Sequence, residues 1–163
     1  MSKNFRKVKL ISCENKAIYY VFSKVRVRNA EILYGDSRWV LRRMISKIRQ
    51  PVLFWLDAHW DKELPLLGEL DIIVRSNIIA VVLIDDFKVP GTNFGYDCYN
   101  GVPISDELIH PCLSGVKYVQ LLPTNEHTVR WYTCIYLNVV PDFDKFILDN
   151  FRVINVGRNH GSP

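Results

Sequence analysis

The run IIAVVLIDD, residues 78–86, constrains the fold more than any other stretch of the chain. It is apolar without alternation, the pattern of a strand covered on both faces, and it stops at two carboxylates, Asp85 and Asp86. A second such run, PVLFWLD (51–57), stops at Asp57. Between them the spacing predicts a helix around 63–75 with Leu67, Leu70 and Val74 facing inward. Strand, helix, strand at this spacing is the signature of a parallel sheet, because parallel neighbours need a crossover connection.

The same alternation precedes it. KVKLISCE (7–14) reads as a strand ending near Glu14, with Asn15 placed to cap a helix whose stripe is Ile18, Val21, Phe22 and Val25. AEILYG (30–35) is a strand stopped by Gly35, after which Asp36 or Ser37 caps a helix with Val40, Leu41, Met44, Ile45 and Ile48 on its apolar face. Beyond Phe87 the pattern changes. VPGTNFGYDCYNGVP (89–103) reads as a long ordered loop and 104–110 as a short helix. YVQLLPT (118–124) and WYTCIYLNVV (131–140) read as strands of a hairpin at the end of the sheet, and 142–156 as a last helix or strand. The expected organisation is an α/β domain over 1–156 with a flexible tail at 157–163.

Bulk properties narrow the function. A chain of 163 residues, 48% hydrophobic, is long enough for one well-buried core. No run reaches the ~18 apolar residues of a membrane span, and the basic start MSKNFRKVKL lacks a signal peptide's apolar core. The four cysteines are scattered without a C-x-x-C pair, as reduced thiols of a cytoplasmic protein would be. Residues 1–50 carry 13 Lys or Arg against 3 acids, and residues 51–163 carry 8 against 14. The basic residues fall between apolar helix positions, so they read as solvated helix faces and not as a nucleic-acid surface.

The acids at strand ends call for a chemical reading. Open α/β sheets bind ligands at the carboxyl ends of their parallel strands, and Glu14, Asp36, Asp57, Asp85 and Asp86 all stand at such ends. Grouped carboxylates repel one another unless a cation or a hydroxyl-bearing ligand lies between them. In order and context, from ISCEN through YGDSRWVLRRM, PVLFWLDAHW and PLLGEL to LIDDF, these residues resemble the Rossmann-like S-adenosylmethionine-dependent methyltransferases. The resemblance covers roughly residues 7–100, and its most specific part is the pair WLDAHW and IDDF. It implies a doubly wound, mostly parallel sheet with a C-terminal antiparallel hairpin. It also implies cofactor binding by Glu14 at the ribose and by Asp36 near the adenine, with Ser37 beside it.

Metal-dependent O-methyltransferases among these relatives hold a divalent ion at positions that correspond to Asp57, Asp85 and Asp86. Mg²⁺ there would hold a small hydroxylated substrate and lower the pKa of its hydroxyl. The proton would pass to His59, or else to Lys62. In that family a first strand and a glycine-rich turn precede the segment matching Lys7. Here only MSKNFR stands before it, and no glycine occurs before Gly35. The expectations that follow are direct pairing of strands 7–14 and 51–57, a second chain completing the sheet in a homodimer, or a fragment of a longer protein. The alternative function is a catalytically inactive, methyltransferase-like binding or assembly module. The aromatic loop residues Phe94, Tyr96 and Tyr99 beside Asp97 are either a substrate lid or anchors for the loop.

Overall fold

A computed structural model describes residues 8–58, 63–123, 132–138 and 151–157. The chain forms two compact units, Met1–Met44 and Ile45–Pro163.

In the first unit, β1 (Ile11–Glu14), α1 (Ala17–Arg26) and β2 (Glu31–Tyr34) make one parallel crossover, followed by α2 (Ser37–Ile45). The strands pair from Ile11 opposite Glu31 to Glu14 opposite Tyr34. Gly35, at φ +140°, ends β2, and its N–H donates to the Glu14 carbonyl at 3.0 Å. That conformation is open to glycine and strained for any other residue. Asn15 does not cap α1. The N-cap is Lys16, which makes no side-chain cap bond, and its own N–H donates to Glu14 Oε1 at 2.9 Å. The glutamate thus fixes the approach to the helix, and no side-chain cap bond is made at its start. The α1 stripe of Ile18, Val21, Phe22 and Val25 forms as its spacing predicts, but all four side chains are exposed. Four cations of this unit lie over aromatic rings: Lys16 on Tyr19, Lys24 on Tyr20, Arg26 on Phe22 and Arg43 on Trp39.

In the second unit, β3 (Val52–Leu56), α3 (Leu66–Arg75) and β4 (Ala80–Ile84) repeat the parallel crossover. β7 (Tyr118–Pro123), β8 (Thr133–Leu137) and β9 (Phe151–Gly157) complete a five-stranded sheet in the order β3-β4-β8-β7-β9. Within it only β3·β4 is parallel; β4·β8, β7·β8 and β7·β9 are antiparallel. The molecule is thus a mixed α/β protein, with a larger antiparallel share than its sequence spacing predicts. The expected hairpin of β7 and β8 pairs as anticipated, yet β8 inserts beside β4 and leaves β7 outside it. Of the expected element over 142–156, residues 142–150 lie outside the described residues, and the rest belongs to β9 (Phe151–Gly157). β1 and β3 do not pair with one another among the described residues.

Alternation along the strands sorts the second unit's core. Val82, Ile84, Ile135, Leu137 and Leu122 share one sheet face and are fully buried, as are Leu70 and Ile73 of α3. Leu70 and Val74 point inward as predicted, but Leu67 is 36% exposed, one step round the helix from the buried stripe. A buried polar network ties α4 (Asp106–Ile109) to the sheet. Gln120 Nε2 donates to Asp106 Oδ1 at 2.7 Å and to Thr133 Oγ1 at 3.0 Å, and Thr133 passes its own proton to the Leu121 carbonyl. Satisfied on each side, these groups escape the penalty for burying bare polar atoms.

Truncating Leu70 to alanine is expected to cost about 2–5 kcal/mol in urea unfolding, as for other fully buried leucines. Leu67→Ala should cost under about 1 kcal/mol, since that side chain keeps much of its solvent contact.

Candidate active site at the strand ends

Parallel pairing in register sets the ends of β3 and β4 side by side. The Asp85 N–H donates to the Leu56 carbonyl at 3.1 Å, so Asp57 and Asp85 leave adjacent strands at the same level. Asp86 follows at φ +50°, a left-handed turn that costs a non-glycine residue roughly 1–2 kcal/mol. Asp85 Oδ1 accepts the Asp86 N–H at 3.0 Å and steadies that turn. Sharp reversal there sends the chain out over the strand ends.

The aromatic loop returns to the same place. Asp97 N–H donates to the Asp86 carbonyl at 3.1 Å, and Ile104 N–H donates to the Asp97 carbonyl at 3.0 Å. Phe87, Val89 and Ile104, all buried, anchor the loop base. Tyr96 stays exposed, with the Lys88 ammonium over its ring, while Tyr99 is half-buried. The aliphatic residues and Phe87 thus anchor the loop base, and of the two tyrosines Tyr99 is the one near the acids. Residues 98–103 form a short hairpin, β5 (Cys98–Tyr99) with β6 (Val102–Pro103), where an unbroken loop was expected. Asn100 at φ +51° and Gly101 at φ +79° supply its turn; Asn-Gly is the dipeptide that two-residue hairpins favour.

Tyr99 joins this group electrostatically. Burial pushes its phenol above the ordinary tyrosine range, and the nearby carboxylates of Asp97, Asp86 and Asp57 add to the shift. At neutral pH the phenol keeps its proton and is a hydrogen-bond donor among acids. Below the strand ends lies a cavity of about 10 Å³, lined by Leu56, Asp57, Ala58, Leu64, Leu66, Glu69, Ile84, Asp85 and Ile104. That volume takes one water and no larger ligand. Glu69, on α3, is buried there, and no strand-end pattern in the sequence pointed to it.

Asp57, Asp85 and Asp86 thus stand together at one end of the sheet. No group of three or more His, Cys, Asp or Glu side chains among the described residues is placed to hold a metal ion. His59 and Lys62, the expected proton acceptors, lie outside the described residues.

The first unit carries the other expected residues. Glu14 and Asp36 follow adjacent parallel strands. Glu14 is half-buried, with Oε1 engaged by the Lys16 N–H. Asp36 caps α2: Oδ1 accepts the Arg38 N–H at 2.8 Å, and both oxygens accept from the Arg38 guanidinium. That bonding holds its carboxyl below the usual aspartate range. Ser37 is 6% exposed, and its Oγ is buried without a hydrogen-bond partner among the described residues. An orphaned hydroxyl of this kind costs about 1–3 kcal/mol unless something else bonds it.

Comparison of the chain with protein-family models, with curated proteins and with solved structures found no match.

Asp36→Ala is expected to cost about 0.5–2 kcal/mol at neutral pH, the usual worth of an N-cap. Because the folded carboxyl titrates below the unfolded one, this contribution is present above the unfolded value and fades as pH falls through the folded one. Denaturant unfolding of wild type and variant should therefore converge in acid. Among the thiols, burial pushes Cys134 up to about 11, whereas Cys98 is exposed. Iodoacetamide at pH near 8 should modify Cys98 in the native protein and spare Cys134 until denaturant is added, as read by peptide mass.

Proposed function

We propose that the protein is a methyltransferase-like domain that binds S-adenosylmethionine and acts on a small hydroxylated substrate. The observation that carries the reading is the orphaned Ser37 hydroxyl, buried just past β2, with the Glu14 carboxylate ending the neighbouring parallel strand. A nucleoside offers what this pair lacks: ribose hydroxyls to donate to Glu14, and polar atoms to engage Ser37. Glu14 Oε2 has no partner among the described residues, so the carboxylate keeps an acceptor for such a ligand. Arg38 already fills both oxygens of Asp36, which suits a residue that shapes the α2 terminus beside the ligand.

S-adenosylmethionine would supply an electrophilic methyl group. Taken by itself, the second unit offers at the ends of β3 and β4 groups suited to holding a hydroxyl. The Tyr99 phenol, which keeps its proton beside Asp97, Asp86 and Asp57, would donate a hydrogen bond to that hydroxyl's oxygen, and His59 or Lys62 is expected to take the proton. The companion reading, a binding module without catalysis, draws its support from the same Asp36, whose oxygens are fully taken by Arg38.

Calorimetric titration of the full chain with S-adenosylmethionine and S-adenosylhomocysteine separates these readings. Micromolar binding is expected, weakened at least about tenfold by Glu14→Ala and by Ser37→Ala, a change of roughly 1.4 kcal/mol each. A folded protein that binds neither compound at millimolar concentration overturns the cofactor reading. Binding of both compounds without methyl transfer to hydroxylated acceptors selects the inactive module.

A further inference from the structure

The hairpin that carries Tyr99 turns on a reactive dipeptide. Asn100 is the one asparagine of the sequence that glycine follows. An asparagine side-chain carbonyl lies within reach of the next backbone nitrogen, and bonding between them closes a succinimide ring. A Cβ on the following residue crowds that nitrogen, and glycine has none. Two other asparagines share the left-handed backbone, Asn77 at φ +54° and Asn138 at φ +58°. β-branched residues follow both, Ile78 and Val139, and the Asn138 carboxamide donates to the Ile78 carbonyl at 2.9 Å.

Neither reacting group at the hairpin tip is tied down. Among the described residues no hydrogen bond engages the Asn100 carboxamide or the Gly101 N–H. A Cβ placed on Gly101 would meet nothing within 4 Å. Ring closure requires the turn to open, and the ladder that resists opening is short. Only Cys98 opposite Pro103 and Tyr99 opposite Val102 pair, and Pro103 has no N–H to give. A two-stranded hairpin of this kind is marginal by itself. The Asp97 N–H bond to the Asp86 carbonyl and the Ile104 N–H bond to the Asp97 carbonyl hold the base, so opening is confined to the tip.

We propose that Asn100–Gly101 is a site of spontaneous modification that remodels the hairpin beside the strand-end acids. The Gly101 nitrogen gives its proton to hydroxide and bonds to Asn100 Cγ. The Cγ–Nδ2 bond breaks, and Nδ2 takes up a proton and leaves as ammonia. Water then adds to either carbonyl of the succinimide, leaving an aspartate or an isoaspartate linkage; nothing is oxidised or reduced. Nucleophile and electrophile are neighbours in the chain, so the step needs water and no partner surface. Aspartate tolerates a left-handed φ, so that product keeps the turn and adds a carboxylate next to Tyr99. Isoaspartate routes the main chain through an extra methylene, which a two-residue turn of this type does not accommodate, and so it unpairs Tyr99 from Val102. The modification stands whether or not the chain binds a cofactor.

Incubation of the full chain for days in warm, mildly alkaline buffer, followed by peptide mapping, tests this. The peptide containing residue 100 should gain the mass of an amide-to-acid change in two chromatographic forms, while Asn77 and Asn138 keep their amides. Hydroxylamine, which attacks succinimides, should cut the aged native protein between Asn100 and Gly101, and Asn100→Gln should abolish the cut. Amide hydrogen exchange at Tyr99 and Val102 should be faster in the isoaspartate fraction than in Asn100→Asp. Peptide mapping of the wild type remains decisive if Asn100→Gln fails to fold. An Asn100 that keeps its amide in the native protein overturns the proposal; conversion only in the guanidinium-unfolded chain means that the turn protects it. Equal conversion of Asn77 or Asn138 overturns it too, as does exchange at Tyr99 and Val102 that fails to separate the isoaspartate fraction from Asn100→Asp.

Discussion

The parallel pairing of β3 with β4 is the constraint on which the second unit's chemistry depends. Two strands running the same way must start and stop at the same end, and here both stop at carboxylates. Antiparallel pairing of the same two runs would have put Asp57 and Asp85 at opposite ends. The crossover through α3 enforces the parallel sense, and α3 adds Glu69 to the lining of the cavity beneath the strand ends. The left-handed turn at Asp86 then directs the following loop over that end, and one backbone bond from Asp97 returns it. Five residues from β3, β4, α3 and the loop reach the end of one sheet through backbone geometry alone.

Much of this was legible because the signals were periodic. Unalternated apolar runs marked β3 and β4, and glycine marked the end of β2 where φ is positive. The order of the sheet was not legible. β8 pairs with β4 through strand contacts far apart in the sequence, from Ala80 opposite Leu137 to Ile84 opposite Thr133, which no local pattern marks. A hairpin reads the same from sequence whichever of its strands docks first. The N-cap of α1 was misplaced for a local reason: Glu14 reaches the Lys16 N–H and leaves Asn15 outside the role its type suggests. The Asn-Gly turn at 100–101 was visible as a signal but was hidden inside a longer stretch of loop-like composition.

The acids divide by what satisfies them. Asp36 is held by Arg38 and is in large part a helix cap; its position after a strand and its bonding to the helix start are one fact seen twice. Glu14 gives one oxygen to the backbone. Burial raises the proton affinity of the Tyr99 phenol, and the carboxylates of Asp97, Asp86 and Asp57 add to the shift. A tyrosine among carboxylates is a poor acid and a good donor, so this end of the sheet is suited to grip a hydroxyl or an amide more than to bind an anion. Electrostatics thereby restricts the ligand class even where the shape of the open side does not.

The β3 edge follows from the same economy. A strand written entirely in apolar residues is selected, or tolerated, only where both its faces and both its edges have company. On its β4 side every backbone group from Val52 to Leu56 is spoken for by register. On the other, two N–H groups and two carbonyls of Leu53 and Trp55 stand beside the two most exposed apolar side chains of the sheet. Water satisfies the first kind of group well and the second poorly, so the strand gains from any partner that brings both a backbone ladder and an apolar surface.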